Sequence, residues 1–231
     1  MTVSFNDNEL MRVQASTLYV LNNENKIVRI NEPAQASAPI FFVGKTRDSN
    51  LILVRHDLPQ SIVEELTAAT IGSFNITDLC RIVEKYKRVK DVWLGPAYYF
   101  NKNIKQDTDQ NIVVINETNS HLLSEYFDHL TKTLLYRTPI ASYVADGHAV
   151  SVCCSARKSN AAAEASLLTV PRYRGMGLAQ KVVTKWSNEV YRLGLIPLYS
   201  TSWDNLSSQK VAQKLGLIQY GMDFNITVET E

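Results

Sequence analysis

Two arginines and two glycines between an apolar strand and an amphipathic helix are the part of this chain best suited to chemistry. They lie in EASLLTVPRYRGMGLAQKVV, Glu164 to Val183. Leu167, Leu168 and Val170 read as a strand that Pro171 ends, and from Leu178 onward Leu178, Val182, Val183 and Trp186 recur at helical spacing. The connecting loop is Arg172 to Gly177. Amide groups at a helix start are unpaired and the helix dipole is positive there, so glycines that admit a ligand closely make a cradle for a pyrophosphate. A side chain at Gly175 or Gly177 would block that approach. A dinucleotide fingerprint would need a third glycine where Gln180 stands, and a P-loop would need Lys followed by Ser or Thr after its last glycine. Neither pattern fits.

The pattern that fits is R-x-x-G-x-G, read as Arg172, Gly175 and Gly177, and it resembles the acyl-CoA pyrophosphate loop of the GNAT superfamily of acetyltransferases. Taken alone, the hexapeptide is equally an ordinary strand-to-helix turn. A second element follows at the expected separation. Ile196 to Asn205 reads as a strand, and Asn205 to Leu217 as a short helix ending at Gly216. That segment resembles the N-x-x-S/A-x-x-x-x-x-K-L-G-L/F element of the same superfamily. The resemblance covers roughly residues 108 to 231. It implies an α+β fold with a mixed, mostly antiparallel sheet flanked by helices, and a GNAT domain over residues 106–231 preceded by an N-terminal α+β half over 1–105. It also implies transfer of an acetyl group from acetyl-CoA, as co-substrate, to a primary amine by direct attack on the thioester. Acetyl-CoA would be held by Leu168, Thr169 and Val170 on the strand and by Arg172, Arg174, Gly175, Met176, Gly177, Leu178 and Ala179 around the loop. Asn205 and Ser208 would hydrogen-bond the pantetheine.

An alkyl amine with a pKa near 10.4 is only about one part in a thousand neutral at pH 7, so a proton must be removed at a cost of roughly 4 to 5 kcal/mol. Glu164 matches the position where many GNAT enzymes keep a catalytic glutamate. Partial burial against Ala162, Ala163 and Ala165 would raise its pKa toward a working value; a solvated strand-end carboxylate is the plainer alternative. Backbone amides near Leu168 to Val170 would hold the thioester carbonyl, and one N–H aimed at a developing oxyanion can be worth about 3 kcal/mol. One position departs from the superfamily. Many members place a tyrosine four residues before the helix-ending glycine to protonate the departing thiolate, and here that residue is Ala212. Ser208, Tyr199 or water would have to substitute. The rival reading is therefore a catalytically weak acyl-CoA-binding or sensing module, which differs from an enzyme in turnover and not in ligand.

Composition excludes several other classes. The chain has 231 residues, 45% hydrophobic and 20% charged, which is ordinary globular material for one large or two small domains. A formal net charge of +1 supplies no global basic field, and KYKRVK, Lys85 to Lys90, reads as a solvated helix end, so no nucleic acid partner is expected. No basic, apolar leader opens the sequence and no run of about 18 apolar residues occurs, so no membrane partner and a cytoplasmic location are expected. The three cysteines cannot all pair, and adjacent Cys153 and Cys154 on a strand would face opposite sides as reduced packing residues. Four histidines share no ligand spacing with cysteine or carboxylate, so no metal is expected. The acceptor is a small-molecule or peptide amine that no residue set identifies.

The elements that must position these groups read as follows. A helix over Asp7 to Leu21 is capped by Asn6 or Asp7; strands follow over Ile40–Thr46 and Leu51–Arg55. One helix starts with Pro59 as its first residue, and another runs from an N-cap at Thr77 to Tyr86. Asp91 to Phe100 reads as a strand interrupted by Gly95 and Pro96, and the polar run NKNIKQDTDQN sets a boundary near residue 105. Beyond it come a strand Ile112–Ile115, a helix His121–Leu135, and a hairpin of Ile140–Ala145 and His148–Ala156 about Asp146-Gly147. FNITV closes the chain as a strand. Segments such as RHDLPQSIVEEL and WLGPAYYF make the first half resemble the leader half of an uncharacterised bacterial GNAT group, in which a degenerate half packs on a functional one. A small α+β domain that shapes the substrate cleft or a homodimer contact is the equal alternative.

Overall fold

A computed structural model of the chain describes residues 5–33, 37–101 and 109–229. These fall into two compact units. The first comprises Met1–Ala97, Ser202–Asp204 and Tyr220–Glu231, and the second Tyr98–Thr201 and Asn205–Gln219. The boundary expected near residue 105 lies outside the described residues.

The first unit opens with α1 (Asp7–Leu18), where Asn6 accepts from the Glu9 N–H and the Glu9 side chain accepts from the Asn6 N–H, a reciprocal capping box. The helix expected to reach Leu21 ends three residues earlier. Tyr19–Leu21 is instead β1, paired antiparallel with β2 (Ile27–Ile30) across a turn that Asn25 makes at φ 58. Then come β3 (Phe41–Lys45), β4 (Asn50–Val54), α2 (Gln60–Ala69), α3 (Ile76–Glu84) and β5 (Val89–Tyr99), whose last two residues belong to the second unit. Pro59 is the N-cap of α2 and not its first residue, and α3 is capped by Asn75, which accepts from the Thr77 N–H. Gly95 and Pro96 do not interrupt β5: the fixed φ of proline is compatible with extended backbone, and only its ladder N–H is lost. The closing strand is β11 (Ile218–Val228), twice the expected length. In this unit the order is β4-β3-β11-β5, with β3 antiparallel to both neighbours for which register is defined.

One core of this unit joins Phe41, Val43, Phe224 and Ile226 to Ile62 and Leu66 of α2 and Leu79 and Val83 of α3. α1 packs close on β3 and β11, because a Cβ at Gly44 or Gly221 would meet Met11 at under 3 Å. Buried Asp223 accepts from Gln14 Nε2 and Trp93 Nε1, both at 3.1 Å, and Tyr220 donates to Gln14 Oε1 at 2.8 Å. Every polar atom named here gains a partner, as burial requires.

The second unit is built on β6 (Ile112–Ile115), β7 (Ile140–Ala145), β8 (His148–Lys158), β9 (Ala162–Thr169) and β10 (Ile196–Ser200), in the order β10-β9-β8-β7-β6. All neighbours are antiparallel except β9 and β10. The β7–β8 turn takes positive φ at both Asp146 and Gly147, as a two-residue hairpin demands. α6 (Leu178–Arg192) covers one face of this sheet with Val182, Val183, Trp186 and Val190. The single helix expected over His121–Leu135 is not formed. A 3-10 turn at Ser120–Leu123 and two one-turn helices, α4 (Asp128–Thr131) and α5 (Leu134–Arg137), cover the other face through Leu123, Phe127 and Leu130. Cys153 lies in the core under α6 and Cys154 in the core on the opposite face, both thiols free and pushed up by burial, Cys154 to about 11. Among the described residues no helix is long and apolar enough to cross a membrane.

Candidate active site

Strand pairing sets the geometry of the site. β9 and β10 run parallel and pair at Ala162 with Ile196, Ala163 with Pro197 and Glu164 with Leu198; after that the pairing stops. β9 continues to Thr169 with β8 on its other side only. Which groups face the resulting gap follows from alternation. Val170 N–H donates to the Val150 carbonyl at 2.9 Å, and Leu168 is the register partner of Val152, so the even-numbered residues of β9 bond toward β8. On the other edge Ile196 N–H donates to the Ala161 carbonyl, so the odd-numbered residues face β10 and, beyond Glu164, the gap. The Ala165 amide completes the last pair with β10, so the amides directed into the gap are those of Leu167 and Thr169. Of the amides expected near Leu168 to Val170 to receive a carbonyl oxygen, that of Thr169 faces the gap, and those of Leu168 and Val170 are directed into the sheet.

At the mouth of the gap β9 gives way to a 3-10 turn, Pro171–Tyr173, and the glycine loop enters α6. Gly175 and Gly177 have φ of 79 and 78, a left-handed conformation that disfavours side chains, and a Cβ at Gly175 would meet nothing within 4 Å. Gly177 is the N-cap of α6, and no side chain caps that end, so the amides of its first turn are directed at open space. Across the gap stands α7 (Leu206–Lys214), capped by Asn205, whose Oδ1 accepts from the Ser208 N–H at 3.1 Å.

These elements enclose a cleft of about 490 Å³. Of the residues singled out in the sequence, Leu168, Thr169, Arg174, Gly175, Gly177, Leu178, Ala179, Asn205 and Ser208 line it. Glu164, Val170, Arg172, Met176 and Tyr199 do not. Arg172 turns away to donate to Tyr126 Oη at 2.6 Å and lies over the Tyr126 and Tyr173 rings, which braces the loop from behind. Met176 is exposed. Arg174 Nε donates to the Thr169 carbonyl at 3.2 Å. Sequence reasoning missed Lys210 and Lys214, which line the cleft from α7. Their i, i+4 spacing on a predicted helix is a signal that they share a face. With Arg174 they put three cations, and no carboxylate, among the lining residues. An open strand edge, an uncapped helix start and a cationic wall fit an extended ligand that carries amides at one end and phosphates at the other.

Of the proton-handling groups Ser208 lines this cleft, whereas Glu164 and Tyr199 are buried. Glu164 is 3% exposed, and its Oε1 accepts from Ser200 Oγ at 2.7 Å. Its side chain shares a face with Leu198 and Ser200, its neighbours on β10; of the three alanines expected to bury it, Ala163 and Ala165 point to the α6 face and only Ala162 shares its side. Tyr199, also buried, has its hydroxyl 2.5 Å from Ser208 Oγ. Burial pushes the Tyr199 phenol up to about 12, and the Ser208 hydrogen bond opposes this only in part. Ala212 is buried beside Tyr199 in the α6 core. α6 is tied down by an ion pair of Lys181 with Asp109 at 2.6 Å, which holds that carboxyl below its ordinary value.

Tyr191, whose hydroxyl donates to the Phe100 carbonyl at 2.6 Å, is also pushed up to about 12 by burial. Both phenols bind their proton more tightly folded than unfolded. The stability they contribute is complete below the ordinary value of 10.0 and is lost as pH rises through about 12. A Tyr191→Phe, Tyr199→Phe double variant should lose less melting temperature than wild type between pH 10 and 12, measured by calorimetry. Equal losses would contradict the assignment.

A family model for GNAT acetyltransferases matches residues 94–222, more than half of the chain. Among solved structures, one described as a GNAT-family acetyltransferase from Novosphingobium aromaticivorans is similar over 62% of this chain and 68% of its own, with TM-score 0.51 and 21% identity. A GCN5-related N-acetyltransferase-like protein from Streptococcus suis is similar over 82% of this chain and 85% of its own, with TM-score 0.50 and 17% identity. At such identities the likeness is one of fold. No curated protein matches the sequence.

Proposed function

The chain belongs to the GNAT acetyltransferase family, and from that premise we propose that it transfers the acetyl group of acetyl-CoA to a primary amine. The observation that carries this reading is the parting of β9 from β10 beside an uncapped, glycine-led helix start. When bound, the coenzyme supplies an acyl group activated as a thioester.

Each step asked of the protein has a residue suited to it. The loop amides from Gly175 to Ala179 would hold the pyrophosphate, with Arg174, Lys210 and Lys214 contributing charge. The Leu167 and Thr169 edge of β9 would pair with the amides of the pantetheine arm as a further strand does. An N–H on this edge would also receive charge building on the acyl oxygen, worth about 3 kcal/mol in similar settings. Glu164 would take the proton that the amine must lose. Ser208 would donate to the departing sulfur, with Tyr199 behind it. Because its phenol stays protonated up to about 12, Tyr199 can donate to Ser208 Oγ throughout the ordinary pH range, which leaves the serine proton free to turn into the cleft.

Buried Ala212, which supplies no hydroxyl on α7, favours a second reading, a weak acyl-CoA-binding or sensing module. Two experiments test them, and the second separates them. Calorimetric titration of ligand-free protein with acetyl-CoA tests the site that both readings share, and micromolar binding is expected. Thiol release from acetyl-CoA is then followed with a panel containing a polyamine, an aminoglycoside and a peptide with a free N-terminus. Acceleration by any of these supports the enzyme, and binding without acceleration by saturating amines supports the module. Absence of binding by folded protein sinks both. A small-molecule or peptide acceptor and a cytoplasmic setting remain part of the same proposal.

A further inference from the structure

Two adjacent residues at the end of β10, Tyr199 and Ser200, point to opposite faces of the strand. Each makes a side-chain hydrogen bond to one of the groups assigned a proton above. Tyr199 reaches Ser208 at 2.5 Å on the α6 side, and Ser200 Oγ donates to Glu164 Oε1 at 2.7 Å on the other. The second contact exists because of the strand geometry. Leu198 is the register partner of Glu164, and pairing ends there, so Ser200 lies two residues beyond the last pair, on the same face, and its hydroxyl leans back across the opening gap to the carboxylate.

We propose that Ser200 is a positioning residue for the general base: it fixes the orientation of the buried Glu164 carboxylate and favours the form that can accept a proton. The proposal rests on the reading of Glu164 as base. A carboxylate only 3% exposed loses most of its hydration, and a short hydroxyl donor to one oxygen favours the ionised form that can accept a proton. The bond also restricts the rotamer, so the accepting lone pairs keep one direction. Arg157 on β8 is the cross-strand register partner of this carboxylate, and Tyr199, on the opposite face of β10, feels its charge, which helps raise the phenol. Both remain when Ser200 is changed, so a difference between variants reports the serine.

The test is a direct titration of Glu164 by NMR in protein labelled with ¹³C at the glutamate carboxyl carbon, its signal assigned by its absence in Glu164→Gln. Loss of a donor to the charged form raises a carboxyl pKa, so in Ser200→Ala the Glu164 midpoint should move up by about one unit. Ser200→Thr, which keeps the hydroxyl, should return it to the wild-type value. Ser200→Cys keeps the volume with a weak donor; it should give an upward shift and answers the question if the alanine variant does not fold. Identical midpoints in wild type and the alanine or cysteine variant would overturn the proposal. Failure of the two readings is distinguishable. Wild-type turnover in Glu164→Gln removes the base itself, whereas an unmoved midpoint with an inactive Glu164→Gln removes Ser200 alone.

Discussion

Gly177→Glu is expected to abolish acetyl-CoA binding, with an affinity loss of at least about 100-fold by calorimetry. Two effects act together. The glutamate carboxylate would lie at the uncapped first turn of α6 and occupy the seat proposed for the pyrophosphate with its own negative charge. Loss of even two charge-assisted hydrogen bonds, each worth about 1.5 to 3 kcal/mol, exceeds the roughly 2.7 kcal/mol that 100-fold requires. The second effect is strain: φ at Gly177 is 78, where an L-residue costs about 1 to 2 kcal/mol, so some melting temperature is lost as well. Gly177→Asn separates the two, because asparagine tolerates the left-handed region and carries no charge. It should keep the fold and lose less affinity than the glutamate. Native affinity in Gly177→Glu would mean that the coenzyme binds elsewhere.

Glu164→Gln should lower kcat/KM by about 100- to 1000-fold, within the usual contribution of a general base, while the acetyl-CoA Kd stays unchanged. The substitution is nearly isosteric, and the glutamine carbonyl can still accept from Ser200 Oγ, so the buried pocket keeps its shape. What is removed is the capacity to take a proton. The rate should rise again at high pH, where the amine loses its proton to solvent without help. A wild-type rate at neutral pH would retire Glu164 and leave proton removal to water.

What the sequence revealed, and what it hid, divides along the chain's local and non-local physics. The glycine loop and α6 were legible because glycines and an apolar spacing of three and four residues are local signals, and Asp146-Gly147 announced its hairpin for the same reason. The helix expected over His121–Leu135 shows the limit. Its apolar residues suit a helix, but Leu123, Phe127 and Leu130 are drawn onto the sheet face, and short turns deliver them there. Tyr19–Leu21 likewise continues a helical pattern yet pairs with Ile27–Ile30, a contact made across a turn. The site was legible as residue types around a loop. Hidden were the point at which β9 and β10 part, the odd-numbered amides that face the gap, and the contact of Ser200 with Glu164 across 36 residues of sequence. Pairing register decides all three, and no run of neighbouring residues encodes it.

The edge of β9 beyond Glu164 has a consequence for the ligand-free protein itself. Residues 165–169, Ala-Ser-Leu-Leu-Thr, carry no charge, and the main-chain groups of Leu167 and Thr169 point into a slot where no strand pairs with them. Such an edge is a template for strand addition, and main-chain hydrogen bonding does not distinguish a pantetheine arm from a stray peptide. On the proposed reading the coenzyme therefore acts as a solubiliser as well as a substrate. By filling the slot it would close the sheet against association with other chains, so removal of the coenzyme is expected to raise the self-association seen by light scattering.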